Sequence, residues 1–221
     1  MIIYNFEKYN FKNFVVEAIT TTINFSLEND IEIILHEETQ GKYEQIRDLE
    51  TVKAFPPLVF SVDIELNLIK KSDFPKKIEK LILLDGHHRY EHLALYNYDY
   101  PVPIVLISNQ HVQIQSYNSK INEDEEQFIE LLLKNNFIPS TSVGYCINFK
   151  GTTYSGQDIK NIYELYNFKR KLINSGLISA VRNDTLDIND VIVDFTPIKL
   201  NEFYRENYLF PPKSTWISPR I

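Results

Sequence analysis

The chain is expected to adopt an α+β (mixed α/β) fold, and three observations lead there. Residues 31–107 read as strand, helix, strand, strand, helix, strand. Two longer helical patterns follow, over 123–134 and 157–174. A hydrophobic fraction of 43% over 221 residues is enough for one large core carrying a C-terminal extension or subdomain.

Taken in order, residues 1–30 are ambiguous. Phe11, Phe14, Val15 and Ala18 recur at helical spacing, but the β-branched run Ile19–Ile23 follows at once, so helix and hairpin both stay open. Ile31–Leu35 reads as a strand ending at His36-Glu37-Glu38, and Tyr43, Ile46, Leu49 and Val52 repeat as a buried helix stripe that Pro56-Pro57 stops. Leu58–Ile64 and Lys80–Leu84 are expected to pair across a polar connection containing Pro75. After Gly86, Arg89–Tyr96 forms a short helix with Leu93 and Ala94 inward and His92 outward, and Val102–Ile107 returns as a strand. Asn122 is expected to cap a helix whose acidic first turn, Glu123–Glu126, suits the positive end of the helix dipole. Gln157–Asn174 makes a second helix stopped by Gly176, the two together forming a bundle-like layer, and Asp187–Phe195 is a strand.

Composition excludes several classes of function. No apolar run approaches the roughly 20 residues that span a bilayer, and the first residues lack a basic start and a small-residue cleavage site, so no membrane partner and a cytoplasmic location are expected. Cys146 is the single cysteine and leaves no thiol pair for a disulfide, zinc or redox centre. A formal net charge of −7 lacks the basic excess with which proteins neutralise phosphates along a duplex, so no nucleic-acid partner is expected.

The segment Leu83-Leu84-Asp85-Gly86-His87-His88-Arg89-Tyr90-Glu91 carries the clearest chemical signal. A glycine between a strand and a helix lets backbone approach a ligand, and the first amides of the helix point at a bound anion. Arg89 adds a planar fork able to hold two oxygens. His88 and His92 stand four residues apart, a spacing that also suits a metal on one helix face, although a third ligand must come from elsewhere. Asp85 can coordinate magnesium, accept a hydroxyl proton or merely close a turn. Glu37 or Glu38, at a strand's rim, can act as the base that phosphoryl transfer requires, or be plain solvated carboxylates. Lys213-Ser214-Thr215, entered through Pro211-Pro212 as a rigid extended segment, offers a cation and two hydroxyls to a phosphate or carboxylate, or is a docked tail.

Leu35-His36-Glu37, Asp85-Gly86-His87-His88-Arg89 and Pro211-Pro212-Lys213-Ser214-Thr215 occur in the same order as in the free serine kinases of the ParB/sulfiredoxin superfamily, which the chain resembles. The likeness is sharpest over 81–106 and at the C-terminus. It implies a ParB/sulfiredoxin-like nucleotide-binding core over 1–110, and a helical, strand-containing C-terminal part over 111–221 whose tail returns to the active site. It implies a phosphotransferase that uses ATP or ADP with Mg2+ to convert free serine, or a similar hydroxy amino acid, to O-phosphoserine. Glu37 would activate the hydroxyl, and Asp85 would assist as metal ligand or second acid/base group. Gly86, His87, His88 and Arg89 would hold the phosphates, with Lys213, Ser214 and Thr215 completing that pocket. Glu38 and, by position, Trp216 are the substrate-side candidates. The alternative is a ParB-like regulator that binds nucleotide without transfer. Sulfiredoxin-type repair is disfavoured, because His87 stands where that chemistry needs a cysteine.

Overall fold

Mixed strand directions, rather than a simple meander, organise the first half of the chain. The computed structural model describes residues 7–12, 14–25, 30–39, 56–70, 74–96, 101–141, 144–187, 190–204 and 208–221. The helix stripe expected over Tyr43–Val52 lies outside them. The chain divides into two units, one of Met1–Gln113, Leu200–Leu209 and Ile217–Ile221, the other of Ile114–Lys199 and Phe210–Trp216.

In the first unit, β1 (Glu7–Lys8), β2 (Ala18–Ile23), β3 (Glu32–Ile34), β4 (Leu58–Val62), β5 (Lys80–Asp85) and β6 (Val102–Ser108) form one sheet in the order β1-β2-β6-β4-β5-β3. β1 and β2 are antiparallel, so the N-terminal ambiguity resolves as a hairpin. β4 runs antiparallel to β5 and parallel to β6, while β3 runs parallel to β5. Every residue of β4 is buried. A run of apolar residues interrupted only by the small Ser61, Leu-Val-Phe-Ser-Val, suits an interior strand covered on both faces, whereas a half-exposed strand would alternate. Phe60, Leu81, Leu83, Ile104 and Leu106, all fully buried, form the centre of the core, and Leu93 of helix α1 (His87–Tyr96) packs against it.

Helix α1 corrects two expectations. His92 is completely buried rather than outward, and Ala94 is exposed. The helix begins two residues earlier than the sequence suggested, and its inward face is centred on His92 and Leu93 rather than on Leu93 and Ala94.

The chain enters the second unit in β7 (Gln113–Ser116). Its main sheet contains β8 (Ser119–Ile121), β9 (Phe137–Pro139), β10 (Cys146–Phe149), β11 (Thr152–Gly156), β12 (Ile178–Ala180) and β13 (Ile192–Phe195), in the order β12-β8-β13-β10-β11-β9. Helices α2 (Glu125–Lys134) and α3 (Ile162–Asn174) do not form a bundle. They pack on strands, with Phe128 edge-on to Phe149 and Tyr166 against Phe195. The cap of α2 is Asp124, which accepts from the Glu126 amide at 2.8 Å, and the Asn122 side chain instead donates to Gly176 O and Ser179 Oγ. Helix α3 starts later than expected, because Asn161 accepts from the Glu164 amide at 3.0 Å while Glu164 accepts from the Lys160 amide at 2.7 Å. Gly176, at φ 76°, ends it as expected. The strand anticipated over Asp187–Phe195 is confined to β13, and the chain returns to the first unit within β14 (Thr215–Ser218).

Leu81→Ala should lower stability by about 2–5 kcal/mol through lost burial and a residual cavity, read as a lower urea midpoint for the first unit.

Candidate active site

Strand direction decides which side chains meet. Because β3 and β5 are parallel, with Ile34 opposite Ile82, their carboxyl ends emerge at the same sheet edge. Antiparallel β4 brings its entry, Pro56-Pro57, to that edge as well. Ligands in α/β sheets settle outside the carboxyl ends of such strands.

Beyond Asp85 the chain turns through Gly86 at φ 99°. A Cβ there would stand 2.5 Å from Leu58 Cδ2 and 2.9 Å from Arg89 Nη2, so both conformation and space call for glycine. The first helical bond runs from the Tyr90 amide to Gly86 O at 2.9 Å. The amides of His87, His88 and Arg89 therefore precede any intrahelical acceptor and face outward at the positive end of α1.

Around this turn the side chains are tightly organised. Asp85 lies between two guanidinium groups, Arg89 at 3.9 Å and Arg220 at 3.7 Å. Arg89 also donates to the carbonyls of Pro56 and Pro57, fastening the entry of β4 to the start of α1. His36, 1% exposed, places Nδ1 3.0 Å from Leu83 O and 3.2 Å from Nε2 of His87. Its ring stacks on Phe203 at a centroid distance of 4.3 Å. Three residues on, Thr39 donates to the Glu91 carboxylate. The segment after β3 is thus tied to α1 at both ends, and Glu37 and Glu38, each half-buried, lie between the ties.

Of the residues expected from sequence, Glu37, Glu38, Asp85, Gly86, His87, His88 and Arg89 all belong to the first unit. Lys213, Ser214, Thr215 and Trp216 belong to the second. There the Pro211–Thr215 segment is a turn rather than an extended entry: Lys213 adopts φ 61°, and Ser214 Oγ donates to Pro211 O at 2.6 Å. Ser214 and Thr215 are buried, Lys213 is exposed, and Trp216 packs against Tyr117 and the Arg182 guanidinium. Sequence reasoning gave no role to His36, Phe203 or Arg220. His36 was visible only as a neighbour of Glu37, and Arg220 is more than 130 residues from the carboxylate it meets.

Burial, followed by the charges of His88, Arg220 and Arg89, pushes His87 down to about 3. Burial and the adjacent His87 hold His36 well below the ordinary imidazole range, outweighing the opposite pull of the Leu83 carbonyl. Both rings are neutral at physiological pH, so the positive charge at the turn comes from the arginines and the helix amides. Among the described residues no group of three or more His, Cys, Asp or Glu is placed to hold a metal by itself.

No protein-family model matches the chain, and no curated protein matches its sequence. Solved structures do share its fold. A free serine kinase in complex with AMP superposes with a TM-score of 0.56 at 14% identity, over 96% of this chain and 91% of that one. A glutamate-to-alanine variant of a free serine kinase in complex with ADP gives 0.57 at 13% identity over the same shares. SbnI with a C-terminal truncation, from Staphylococcus aureus, gives 0.60 at 15% identity over 91% of this chain and 84% of that one. The chain therefore has the fold of the free serine kinase structures, an α+β architecture.

Two outcomes follow from the geometry. Gly86→Ala, which both strains the backbone and displaces Arg89, should destabilise the first unit by about 1–3 kcal/mol, measured as a lower melting midpoint. Because folding holds His36 and His87 neutral while the unfolded chain takes up protons below about pH 6.5, stability should fall as pH drops from 7 to 5. A His36→Asn/His87→Asn double variant should show a flatter dependence over that interval in thermal melts.

Proposed function

We propose that the chain is a phosphotransferase that moves a phosphoryl group from an adenine nucleotide to the hydroxyl of free serine or a closely similar amino acid. The observation that carries this reading is the Gly86 turn. It aims three helix amides outward, beside two guanidinium groups gathered on one carboxylate and within the sheet edge that also carries Glu37. The likeness to structures that hold AMP and ADP supports a nucleotide as the anion concerned.

In the reaction, the serine hydroxyl oxygen forms a bond to the terminal phosphorus of the nucleotide as the bridging P–O bond breaks. ATP leaves as ADP, or ADP as AMP, and the hydroxyl proton passes to the Glu37 carboxylate. The amides of His87–Arg89 and the two arginines spread the charge of the transferring group, which is the principal work of a phosphoryl-transfer site. Arg89 and Arg220 exchange Asp85 for phosphate oxygens as the nucleotide enters. Glu38 is the substrate-side carboxylate, suited to the ammonium group of an amino acid.

Asp85 is the carboxylate suited to Mg2+. That ion commonly takes one or two protein carboxylates and fills its remaining positions with phosphate oxygens and water, so the lack of a larger acidic cluster among the described residues accords with such a site. When bound, magnesium would neutralise phosphate charge.

The test is incubation of the protein with Mg2+, ADP or ATP, and a panel of hydroxy amino acids, followed by mass spectrometry. O-phosphoserine is expected with one of the two donors. Glu37→Gln should lower turnover by about 10²-fold or more while nucleotide affinity is retained, and Arg220→Ala should weaken nucleotide binding. Nucleotide binding without any phosphorylated product across the panel would replace transfer with a nucleotide-responsive regulatory role.

A further inference from the structure

His36 is placed to do more than fill space behind Glu37. A carbonyl oxygen has no proton to give, so the ring nitrogen that faces Leu83 O at 3.0 Å, Nδ1 of His36, must carry one. The same Nδ1 lies 3.2 Å from Nε2 of His87. If Nε2 of His87 also bore a proton, two N–H groups would confront each other beside the buried His36 ring. Nε2 of His87 therefore accepts, and the proton of His87 resides on Nδ1.

The surroundings leave His36 little freedom to escape this arrangement. Its ring is 1% exposed, stacked within 19° of parallel on Phe203, and edge-on to His87 with centroids 4.5 Å apart. Turning the ring over would remove Nδ1 from Leu83 O and break a buried hydrogen bond to the strand. The strand fixes His36, and His36 in turn fixes His87.

We infer that His36 is a positioning residue that locks His87 in the Nδ1–H tautomer, so that the first residue of α1 presents a neutral N–H donor to a nucleotide phosphate. The phosphate assignment rests on the nucleotide-dependent reading above, whereas the tautomer rests on the two distances alone. The consequence is specific. His87 serves as a hydrogen-bond donor of fixed direction, added to the backbone amides of the same turn, and does not serve as a proton acceptor from the serine hydroxyl. That leaves the base role to a carboxylate.

Histidine 1H–15N long-range spectra of the ligand-free protein, with AMP titrated by calorimetry and in the same spectra, test this. Wild-type His87 should show the Nδ1–H pattern, and its Nδ1 resonance should move on addition of AMP. His36→Phe removes the donor, so His87 should revert to the Nε2–H form that histidine side chains favour when unconstrained, and AMP affinity should fall about tenfold. His36→Asn places an amide N–H where Nδ1 stood and should restore the Nδ1–H pattern and most of the lost affinity. His36→Gln places its amide one bond further out and should not. Circular dichroism melts separate a shift of tautomer from loss of fold. An Nε2–H pattern for wild-type His87, or an Nδ1–H pattern that survives in folded His36→Phe, would overturn the lock. An Nδ1 resonance indifferent to bound AMP would overturn the donor role. If the wild type binds neither AMP nor ADP while the tautomer responds to His36 as described, the nucleotide reading fails and the donor role falls with it, but the lock stands.

Discussion

The parallel pairing of β3 with β5 is the constraint on which the site depends. Three residues of register, from Glu32 opposite Lys80 to Ile34 opposite Ile82, decide that the chain leaving β3 arrives beside the chain leaving β5. Had β3 run the other way, His36 and Glu37 would emerge at the opposite edge from Asp85 and Gly86. A slip of one residue would turn His36 to the other face of the sheet. The His36–Leu83 bond, the His36–His87 contact and the Thr39–Glu91 bond all follow from this register, and together they hold the segment after β3 against the first turns of α1.

The second organising feature is how charge is distributed at that edge. The two histidines nearest the turn are neutral because they are buried among cations, and the permanent positive charges belong to Arg89 and Arg220, both directed at Asp85. A carboxylate flanked by two guanidinium groups keeps them close to the helix amides without pairing them irrevocably, since phosphate oxygens offer the same bidentate partners with more charge. Asp85 thus holds the two guanidinium groups together at the start of α1.

Much of this was legible in the sequence where the signal is local. A strand-like run ending in Asp85-Gly86, followed by a helical pattern, is sufficient to predict a strand-turn-helix junction, and the positive φ of Gly86 and its close approach to Leu58 show why a glycine stands there. The positions of strands β3 to β6, the pairing of β4 with β5 and the stop at Gly176 could be read from apolar runs and breakers, whereas the strand directions could not. Less accessible were features that depend on long-range partners. His92 looked solvated because a polar residue beside Leu93 gives no local sign of which flank of the apolar stripe the core covers. The short strands β8, β9 and β12 carry three residues each and no alternation that rises above loop composition. Asn122 and Asp124 are both good caps, and only tertiary bonds from Asn122 to Gly176 and Ser179 decide between them. Pro211-Pro212 suggested an extended entry, yet a residue as ordinary as Lys213 takes the left-handed conformation that turns it. The role of Arg220 depends on a contact with Asp85 that no local pattern announces.

The central claim is that the phosphates of an adenine nucleotide sit at the amino-terminal turn of α1. Amide chemical-shift mapping during AMP titration addresses it most directly. The account predicts the largest saturable shifts at Gly86, His87, His88 and Arg89, with the side-chain signals of Arg89 and Arg220 following the same binding curve. Saturable binding of AMP that leaves those four amides unmoved and perturbs a separate part of the chain would contradict it.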